Sequence, residues 1–363
     1  MEKLRIGIVG CGFIGTSKHL PGLAKQSDKA EIVAFCDIIP ERAEMAKAQY
    51  GGADSYACTD YMQLVNDKTL DVIHVCTPNV THCEITCAAL EAGKHVMCEK
   101  PMAVTYAEAK KMVDTAKRVG KKLTVGYQNR FRDDAIYLRN MVDNGRLGDI
   151  YYAQANAMRR RCVPTWGVFT DKSLQGGGPL IDLGTHALDL TLWYMGNYEP
   201  ESVSGSVFYK MGDKTEGNLC GPWDPEKYEV EDSAFGFIRM KNGATIYLSA
   251  SWVLNIMEPR EACTTLCGTE GGAEMRMKGE DYTCLINYAD GGRLVDASVD
   301  FSQKIAFGPD DVEEKPGDRE AAQWIDAILN DHDPVVLPEQ AMVVTQILEA
   351  IYESGHNGKP VYL

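Results

Sequence analysis

The chain has 363 residues, of which 45% are hydrophobic and 25% are charged, and its formal net charge is −15 at pH 7. That length is too great for one ordinary core and predicts two domains, with the composition of a soluble globular protein. The negative charge argues against nucleic acid or an anionic membrane as a partner, because either would require a basic face.

The N-terminal segment predicts a dinucleotide-binding turn. A short run with apolar positions at residues 5–9 leads into Gly10-Cys11-Gly12-Phe13-Ile14-Gly15, which has the spacing G-x-G-x-x-G, and then into a stretch compatible with a helix. Gly10 would allow a tight turn, Gly12 would let a pyrophosphate approach the backbone, and Gly15 would let the helix sit close to the strand. The phosphates would lie at the helix N-terminus, where N–H groups and the macrodipole favour negative charge.

A second predicted strand, residues 31–36, ends in Asp37, which lies 22 residues after Gly15. This is close to the spacing expected of the carboxylate that binds the adenosine ribose hydroxyls. The alternative is a surface aspartate at the end of a buried strand. Because a carboxylate would repel a 2′-phosphate and Ile38-Ile39-Pro40 contains no arginine, the segment predicts NAD as the cofactor.

Strands and helices continue to alternate up to about residue 126. The strands are predicted at residues 70–79, 95–98 and 123–127, and the helices at residues 40–48, 60–65, 81–93 and 106–120. This pattern predicts a Rossmann domain over residues 1–126, built on a doubly wound parallel sheet. Ligands bind at the carboxyl ends of such strands, where Thr77-Pro78-Asn79 and Glu99-Lys100-Pro101 follow.

The pattern changes beyond Tyr127, and residues 127–363 are predicted to form a second domain. Longer alternating strands are predicted at residues 151–157, 201–209, 232–240, 244–253 and 261–268, with helices at 318–330 and 338–356. We expect an α+β domain with a large, mostly antiparallel open sheet whose one face is covered by helices. The other face should be apolar enough to meet a second subunit.

Two segments carry side chains suited to redox chemistry at a hydroxyl group. The ammonium of Lys100, at a strand end, would bind a substrate oxygen and stabilise the charge that develops there. Asp182 and His186 lie four residues apart on a largely buried helix, so both should project from one face. His186 would take the hydroxyl proton, and Asp182 would hold a substrate hydroxyl or stabilise the imidazolium. The alternatives are a solvated loop lysine and a satisfied Asp–His pair in the core.

The cysteine spacing does not indicate a metal site. Twelve cysteines occur without any C-x-x-C, so we expect buried hydrophobic residues and no metal site. The strand at the N-terminus leaves no room for a signal peptide, and no apolar run nears the about 18 residues of a membrane span, so we expect a cytoplasmic protein.

Residues 159–177 and 212–231 should border the substrate pocket, where Trp166 or Trp223 would contact a sugar ring or merely pack.

Residues 10–15, Glu99-Lys100-Pro101 and Asp182-x-x-x-His186 together resemble the Gfo/Idh/MocA family, named after glucose–fructose oxidoreductase, inositol dehydrogenase and a rhizopine-catabolism protein. The resemblance covers the whole chain, including Cys76-Thr77-Pro78-Asn79 and the closing Asn357-Gly358-Lys359-Pro360-Val361. It implies a Rossmann domain and an α/β domain whose open sheet forms a dimer, often within a tetramer. It also implies NAD(P)-dependent oxidation or reduction of a sugar or polyol carbon.

The resemblance assigns roles residue by residue. Lys100, Asp182 and His186 match the catalytic residues, and the histidine at the last position favours a dehydrogenase. Cofactor binding is expected from Gly10, Cys11, Gly12, Phe13, Ile14, Gly15, Asp37, Thr77, Pro78, Asn79, His82, Glu99 and Lys100. Substrate binding is expected from Lys100, Tyr127, Arg130, Arg159, Trp166, Asp182 and His186.

Three functions are compatible with the sequence. The first is an NAD-dependent dehydrogenase acting on a ring hydroxyl of a sugar or glycoside, which the long loop around Arg159–Gly167 would suit because it leaves room for more than a free hexose. The second is a dehydrogenase for a cyclitol such as myo-inositol, whose hydroxyl array mimics a pyranose. The third is an NAD-sensing regulator that has lost catalysis, against which the intact Lys100, Asp182 and His186 argue.

Overall fold

The computed structural model describes residues 3–278, 281–301 and 314–363. The chain divides into two compact units, one formed by Met1–Phe131 with Glu313–Met342 and the other by Arg132–Val312 with Val343–Leu363. The first unit thus extends past residue 126 and includes a C-terminal segment that the sequence pattern assigned to the second domain. Within the described residues, no helix combines the length and the apolar character that crossing a bilayer requires.

The first unit contains a six-stranded parallel sheet. Its strands are β1 (Leu4–Val9), β2 (Ala30–Cys36), β3 (Tyr56–Cys58), β4 (Val72–Val75), β5 (His95–Cys98) and β6 (Leu123–Val125). Their order across the sheet is β3-β2-β1-β4-β5-β6, and every neighbouring pair is parallel. The predicted doubly wound sheet is therefore confirmed. The order reverses between β1 and β4, which is where such sheets bind their ligands.

The described residues form ten α-helices. In chain order they are α1 (Leu20–Ala24), α2 (Pro40–Tyr50), α3 (Tyr61–Asn66), α4 (His82–Glu91), α5 (Tyr106–Val119), α6 (Asp133–Asp143), α7 (Lys172–Gln175), α8 (Thr185–Met195), α9 (Pro316–Leu329) and α10 (Pro338–Asn357). Their ends follow local chemistry. Thr105 and Glu108 form a capping box at the start of α5, and the left-handed Gly120 ends that helix.

Helix α9 completes the core of the first unit. Its Ala321, Trp324 and Ile325 belong to the same buried cluster as Ile6 and Phe35 of the sheet. The apolar face of α9 would otherwise be exposed to water, at a cost of roughly 25 cal/mol for each Å². This packing explains why residues 313–342 return to the first unit although more than 180 residues separate them from Phe131.

The second unit contains a nine-stranded sheet. Its strands are β7 (Ile150–Met158), β8 (Pro200–Phe208), β9 (Ser233–Met240), β10 (Thr245–Ser251), β11 (Arg260–Gly268), β12 (Gly271–Lys278), β13 (Asp281–Asp290), β14 (Arg293–Val299) and β15 (Val361–Tyr362). The order is β14-β13-β12-β11-β7-β10-β9-β8-β15, and β7 and β10 form the one parallel pair among the described strand pairs of this sheet. The predicted large, mostly antiparallel sheet is confirmed.

The two faces of this sheet differ in exposure. On β9, Ile238 is completely buried, whereas its neighbour Phe237 is 45% exposed. Phe237 lies directly opposite Tyr247 of β10, which is 47% exposed, so the two aromatic side chains share the outward face. The sheet of the second unit therefore has a packed face and a partly exposed aromatic face.

Candidate active site

The glycine-rich loop of the first unit fits a bound dinucleotide. Gly10 has a φ of +99°, and a Cβ there would lie 2.3 Å from the carbonyl oxygen of Cys76, so the fold itself requires glycine. A Cβ on Gly12 would meet no protein atom within 4 Å. Space beside Gly12 is what the close approach of a pyrophosphate needs. The next residue, Phe13, is 75% exposed.

Asp37 is fixed beside this loop. Its carboxylate is buried, and Oδ2 accepts a hydrogen bond from the backbone N–H of Cys11 over 2.9 Å. Oδ1 accepts another from the backbone N–H of Ile39, also over 2.9 Å, while the side chain of Ile38 is 87% exposed. Asp37 thus holds a carboxylate at the end of β2 beside the glycine-rich loop, and this arrangement fits the ribose end of a dinucleotide, whose binding stays a prediction.

His82 joins the loops that follow β4 and β5. It is fully buried, with Nδ1 at 2.8 Å from the carbonyl oxygen of Pro101 and Nε2 at 2.9 Å from that of Thr77. Burial lowers the pKa of His82, although both carbonyl groups act in the opposite direction. Its contacts position the two loops. Direct cofactor binding by His82, Thr77, Pro78 and Asn79 stays a prediction.

Lys100 lies directly after β5, where its side chain is half-buried. Its backbone N–H donates to Oε2 of Glu99 over 3.0 Å, and the Lys100–Pro101 peptide bond is cis. The backbone of the lysine predicted to polarise the substrate oxygen is therefore hydrogen-bonded to the buried carboxylate of Glu99.

Glu99 is the centre of a buried polar network that the sequence did not reveal. Its Oε1 lies 2.5 Å from Nζ of Lys18 and 2.7 Å from Nε2 of His19. Lys18 also contacts Glu320 of α9 over 2.9 Å, and Nδ1 of His19 lies 2.9 Å from Nδ1 of His74. All five side chains are buried.

The charges in this network determine its protonation. Burial would raise the pKa of Glu99, but the ammonium of Lys18 and the hydrogen bond from His19 hold it well below its usual range. Burial, followed by the charge of Lys18, lowers the pKa of His19. Burial also raises the pKa of Glu320 to about 7. Glu99 is thus the ionised partner of Lys18, and Glu320 is the carboxyl group that titrates near neutral pH.

The segment carrying Asp182 and His186 lies in the second unit. A π-helical turn, Leu180–Gly184, contains Asp182 and continues into α8, which contains His186. The buried carboxylate of Glu231 fixes the start of this turn by accepting hydrogen bonds from the backbone N–H groups of Gly178 (2.8 Å) and Leu180 (3.1 Å). It also accepts one from the hydroxyl of Tyr352 over 2.8 Å.

Close contacts with other protein groups explain why glycine occupies the positions before this turn. A Cβ on Gly177 would lie 2.1 Å from the hydroxyl oxygen of Tyr352, and one on Gly178 would lie 2.3 Å from the carbonyl oxygen of Glu231. Their nearest neighbours are thus protein groups.

Asp182 has a partner that the sequence did not indicate. It is 8% exposed, and its Oδ2 accepts a hydrogen bond over 3.0 Å from the indole N–H of Trp252, which is fully buried. His186, on the first turn of α8, is half-buried. Asp182 is therefore held in a fixed orientation while some of its surface remains accessible.

Arg159 and Trp166 extend this part of the second unit. Nε and Nη2 of Arg159 each lie 2.6 Å from a carboxylate oxygen of Glu261. Burial would lower the pKa of Arg159, but Glu261 and the charge of Asp182 raise it. The ring of Trp166, 48% exposed, packs edge-to-face on Phe169, which packs in the same way on Trp252. Contacts and charge thus connect Arg159, Trp166 and Asp182.

Three other aromatic and basic residues are buried. Trp223 is 8% exposed and donates its indole N–H to the carbonyl oxygen of Gly212 over 2.7 Å, so of its two predicted roles the packing role is the one its contacts support. Tyr127 is fully buried in the first unit. Arg130, in the same unit, donates to the carbonyl oxygen of Val335 and to Oε1 of Gln340 over 3.1 and 2.7 Å. The substrate-binding roles of Tyr127 and Arg130 stay predictions that these contacts do not support.

The structure thus groups the predicted residues within each unit. In the first, the ends of β1, β2, β4 and β5 carry the glycine-rich loop, Asp37, residues 77–79 and Glu99-Lys100. In the second, Asp182, Arg159 and Trp166 are linked as described above. In the part of the chain that the structure describes, no group of three or more His, Cys, Asp or Glu side chains is arranged to hold a metal ion.

Similarity to known proteins agrees with this arrangement. Residues 4–127 match a family model described as "Oxidoreductase family, NAD-binding Rossmann fold", and residues 136–274 match the "GFO/IDH/MocA C-terminal domain". The D-glucoside 3-dehydrogenase of Escherichia coli is 37% identical over 366 residues, which cover 100% of this chain and 98% of that protein.

Two other similarities are informative. The inositol 2-dehydrogenase of Salmonella typhimurium is 35% identical, but over 164 residues only, or 45% of this chain and 48% of that enzyme. A solved structure of a levoglucosan dehydrogenase in complex with NADH and levoglucosan superposes with a TM-score of 0.83 at 24% identity, covering 99% of each chain. At that identity the structural likeness supports the fold alone.

Proposed function

The chain belongs to the Gfo/Idh/MocA family of oxidoreductases, and from this we propose that it is an NAD-dependent dehydrogenase that oxidises a ring hydroxyl of a sugar carried on a glycoside. The observation that carries the proposal is the full-length similarity to a D-glucoside 3-dehydrogenase. We propose a D-glucoside as the substrate and its 3-hydroxyl as the group oxidised. The cyclitol alternative rests on similarities that cover less than half of the chain.

The residues of the first unit account for cofactor binding in this proposal. The glycine-rich loop would hold the pyrophosphate beside Gly12, where no protein atom would obstruct it. Asp37 would accept hydrogen bonds from the adenosine ribose and disfavour the 2′-phosphate of NADP, since the neighbouring Ile38 and Ile39 provide no cation. NAD, when bound, supplies a nicotinamide ring that accepts hydride from the substrate carbon.

Proton chemistry in this proposal belongs to Lys100, Asp182 and His186. The imidazole of His186 would take the proton of the hydroxyl group that is oxidised. The ammonium of Lys100 would hold the same oxygen and stabilise its developing negative charge. Asp182, oriented by the indole N–H of Trp252, would hold a neighbouring hydroxyl or stabilise the imidazolium. The imidazole thus acts as a base, the ammonium as a cation and the carboxylate as a hydrogen-bond acceptor.

Assembly into a homo-oligomer is part of the proposal. The outward face of the nine-stranded sheet exposes Phe237 and Tyr247 directly opposite each other, and Phe208 is 39% exposed. Aromatic residues on an open sheet face suit contact with a second copy of the chain. Light scattering of the purified protein tests this, and a monomer at micromolar concentration would refute it.

A turnover assay with a panel of compounds tests the proposed function. NADH formation would be followed at 340 nm with a methyl or phenyl D-glucoside, free D-glucose, myo-inositol and no substrate. The proposal expects the highest kcat/KM with a glucoside and a 3-keto product by NMR. Preference for myo-inositol would favour the cyclitol alternative, and NAD binding without any turnover would favour the regulator.

The exposed indole of Trp166 offers a second test. If it covers one face of the sugar, Trp166→Ala should raise KM for the glucoside about tenfold and leave the Kd for NAD unchanged. The variant Trp223→Ala, at a tryptophan buried in its own loop, serves as a comparison for lost packing. Equal losses of NAD and glucoside binding in Trp166→Ala would assign that residue a structural role.

A further inference from the structure

Two thiols meet where the long loops of the second unit contact each other. Sγ of Cys162, in the loop 159–177, lies 2.8 Å from Sγ of Cys220, in the loop 209–231. Both side chains are half-buried, so a small reagent can reach them. Eight of the twelve cysteines are instead buried. Proximity and access are thus combined at this pair.

The backbone on both sides holds the two cysteines in register. The N–H of Leu219 donates to the carbonyl oxygen of Arg161 over 2.7 Å, one residue before each cysteine. Asn218 accepts from the N–H of Val163 over 2.8 Å and donates back to its carbonyl oxygen over 3.0 Å. These bonds lie on the N-terminal side of Cys220 and on both sides of Cys162, so the approach of the sulfur atoms does not depend on the thiols alone.

Each cysteine also adjoins a backbone position in the left-handed region. Arg161 has a φ of +50° and Gly221 a φ of +85°, so both loops turn sharply beside the thiol. In addition, the N–H of Cys162 donates to the carbonyl oxygen of Trp252 over 2.8 Å, which fixes the first loop to the end of β10. The turns therefore present the two side chains toward each other from well-anchored segments.

We propose that Cys162 and Cys220 form a reversible disulfide that cross-links the two loops. A disulfide has an S–S distance of about 2.05 Å, so the sulfur atoms need to approach by less than about 1 Å. The hydrogen bonds that join Arg161 and Val163 to Leu219 and Asn218 already hold the two segments side by side for this closure.

The reaction is a thiol–disulfide exchange with a small-molecule disulfide, for which glutathione disulfide is the probe. The thiolate of one cysteine attacks a sulfur of glutathione disulfide, forming a mixed disulfide and releasing one glutathione thiolate, which takes up a proton. The second cysteine thiolate then attacks the protein sulfur of the mixed disulfide and releases the second glutathione. Two protein thiols are oxidised and one glutathione disulfide is reduced to two glutathione molecules.

The surroundings predict how the rate depends on pH. Burial and the contact with Cys220 raise the pKa of Cys162 to about 11, while the nearby guanidinium of Arg159 acts in the opposite direction. Since the thiolate is the reacting form, cross-linking should accelerate as pH rises from 7 to 9. The bond should therefore form slowly in a reducing, neutral environment and accumulate under oxidising conditions.

Peptide mapping of the full-length wild-type protein tests the proposal. The protein would be incubated in buffers of increasing glutathione disulfide to glutathione ratio, blocked with N-ethylmaleimide under denaturing conditions, and digested with trypsin. Cleavage after Arg161, Lys172, Lys214 and Lys227 places the two cysteines in peptides 162–172 and 215–227. We expect these two peptides to become linked, with a loss of about 2 Da, and to separate after reduction.

Matched variants sharpen the result. Cys162→Ser and Cys220→Ser should each abolish the linked peptide, whereas Cys58→Ser, at a half-buried cysteine of the first unit, should leave it unchanged. Oxidation should also slow proteolysis between residues 212 and 227 at least severalfold in wild type and in neither variant of the pair. Absence of the linked peptide at every ratio, or glutathione attached separately to both cysteines, would overturn the proposal.

One consequence rests on the proposed function as well. If the two loops border the glycoside pocket, the cross-link should change KM for a glucoside severalfold and reversibly, without changing the Kd for NAD. The peptide map requires neither substrate nor turnover. A linked peptide with an unchanged KM would therefore refute the pocket position of the loops and leave the disulfide established.

Discussion

The indole N–H of Trp252 donates a hydrogen bond to Oδ2 of Asp182 over 3.0 Å. Both side chains are buried, and 70 residues separate them along the chain. A hydrogen bond to a charged group contributes about 1.5–3 kcal/mol. The orientation of the predicted catalytic carboxylate thus depends on a residue that carries no catalytic group of its own.

Trp252→Phe tests this relationship. The variant keeps most of the buried aromatic surface and removes the N–H donor, so we expect kcat to fall about tenfold, with the Kd for NAD unchanged. Steady-state measurements of glucoside oxidation would give kcat, and isothermal titration with NAD would give the Kd. Trp193→Phe, on α8 but in contact with Tyr194, is the matched control. An equal loss in both variants would mean that the indole N–H has no special role.

Removal of the proposed proton-transfer groups should affect kcat far more than cofactor binding. His186→Ala and Lys100→Met should each lower kcat about 100-fold or more, the scale of a lost general base or oxygen-stabilising group. NAD should still bind, because its proposed contacts lie at the glycine-rich loop and Asp37. Isothermal titration with NAD and initial-rate kinetics measure the two effects separately.

The double variant should lose less than the product of the single losses, since groups that act as a unit are not additive. The pH profile of oxidation should rise with an apparent pKa that belongs to the set of Lys100, Asp182 and His186 together. Near-normal turnover and an unchanged profile in His186→Ala would show that Lys100 is the better candidate for the base, and the two roles would be exchanged.

Cofactor preference should depend on Asp37 and the position after it. The wild type should favour NAD over NADP at least tenfold in kcat/KM, because the buried carboxylate accepts N–H groups and repels a 2′-phosphate. Asp37→Ser combined with Ile38→Arg should reverse the preference, since the side chain of Ile38 is 87% exposed and an arginine there could reach the phosphate. Met45→Arg, on an exposed position of α2, controls for the added charge. Equal use of both cofactors by the wild type would contradict this assignment.

The buried carboxyl of Glu320 should make stability depend on pH. Its pKa is raised from an ordinary 4.5 to about 7 by burial, so the folded state binds more protons than the unfolded state between these values. Stability from this group is therefore complete below about pH 4.5 and is lost as the pH rises through 7. Glu99 contributes in the opposite direction, because its pKa is lowered in the folded state. Its contribution to stability is present above about pH 4.5 and is lost as the pH falls through the folded-state pKa.

Glu320→Gln cannot ionise and should remove the first of these effects. Relative to the wild type, its free energy of unfolding should increase from pH 5 to pH 8, so that the variant gains relative stability by at most about 3 kcal/mol. Urea unfolding at four pH values measures the difference. Glu41→Gln, at an exposed position of α2, should show no such trend. A constant difference between Glu320→Gln and the wild type would show that the carboxyl does not titrate in this range.

Local patterns were enough to predict much of the first unit. The glycine-rich loop, the end of β2 at Asp37 and the start of α3 at Asp60 all depend on residues within one turn or one strand. Strand β3 was missed because Tyr56–Cys58 has three residues, too few to show an alternation. Strands β12, β13, β14 and β15 were also missed. Most residues of β14 are exposed, so its hydrophobic pattern is weak.

The rest of the site could not be predicted because its contacts connect distant parts of the chain. Glu231 binds the N–H groups that precede Asp182, and Glu320 of α9 reaches Lys18 beside the glycine-rich loop. A sequence pattern shows that a glutamate is polar but does not show that the fold will bury it against a particular partner. The one available signal was the occurrence of charged residues within otherwise apolar helical faces, as at Glu320 in α9.

The discontinuous first unit has a consequence for biosynthesis. Its core is complete only when Ala321, Trp324 and Ile325 of α9 reach the sheet, and the second unit similarly requires Tyr352 and β15. A ribosome that has released residues 1–131 has therefore exposed a parallel sheet with part of its apolar surface uncovered. Neither unit can complete its core before α9 and Tyr352 have been synthesised, so we expect the nascent chain to expose apolar surface for longer than a protein with two sequential domains would.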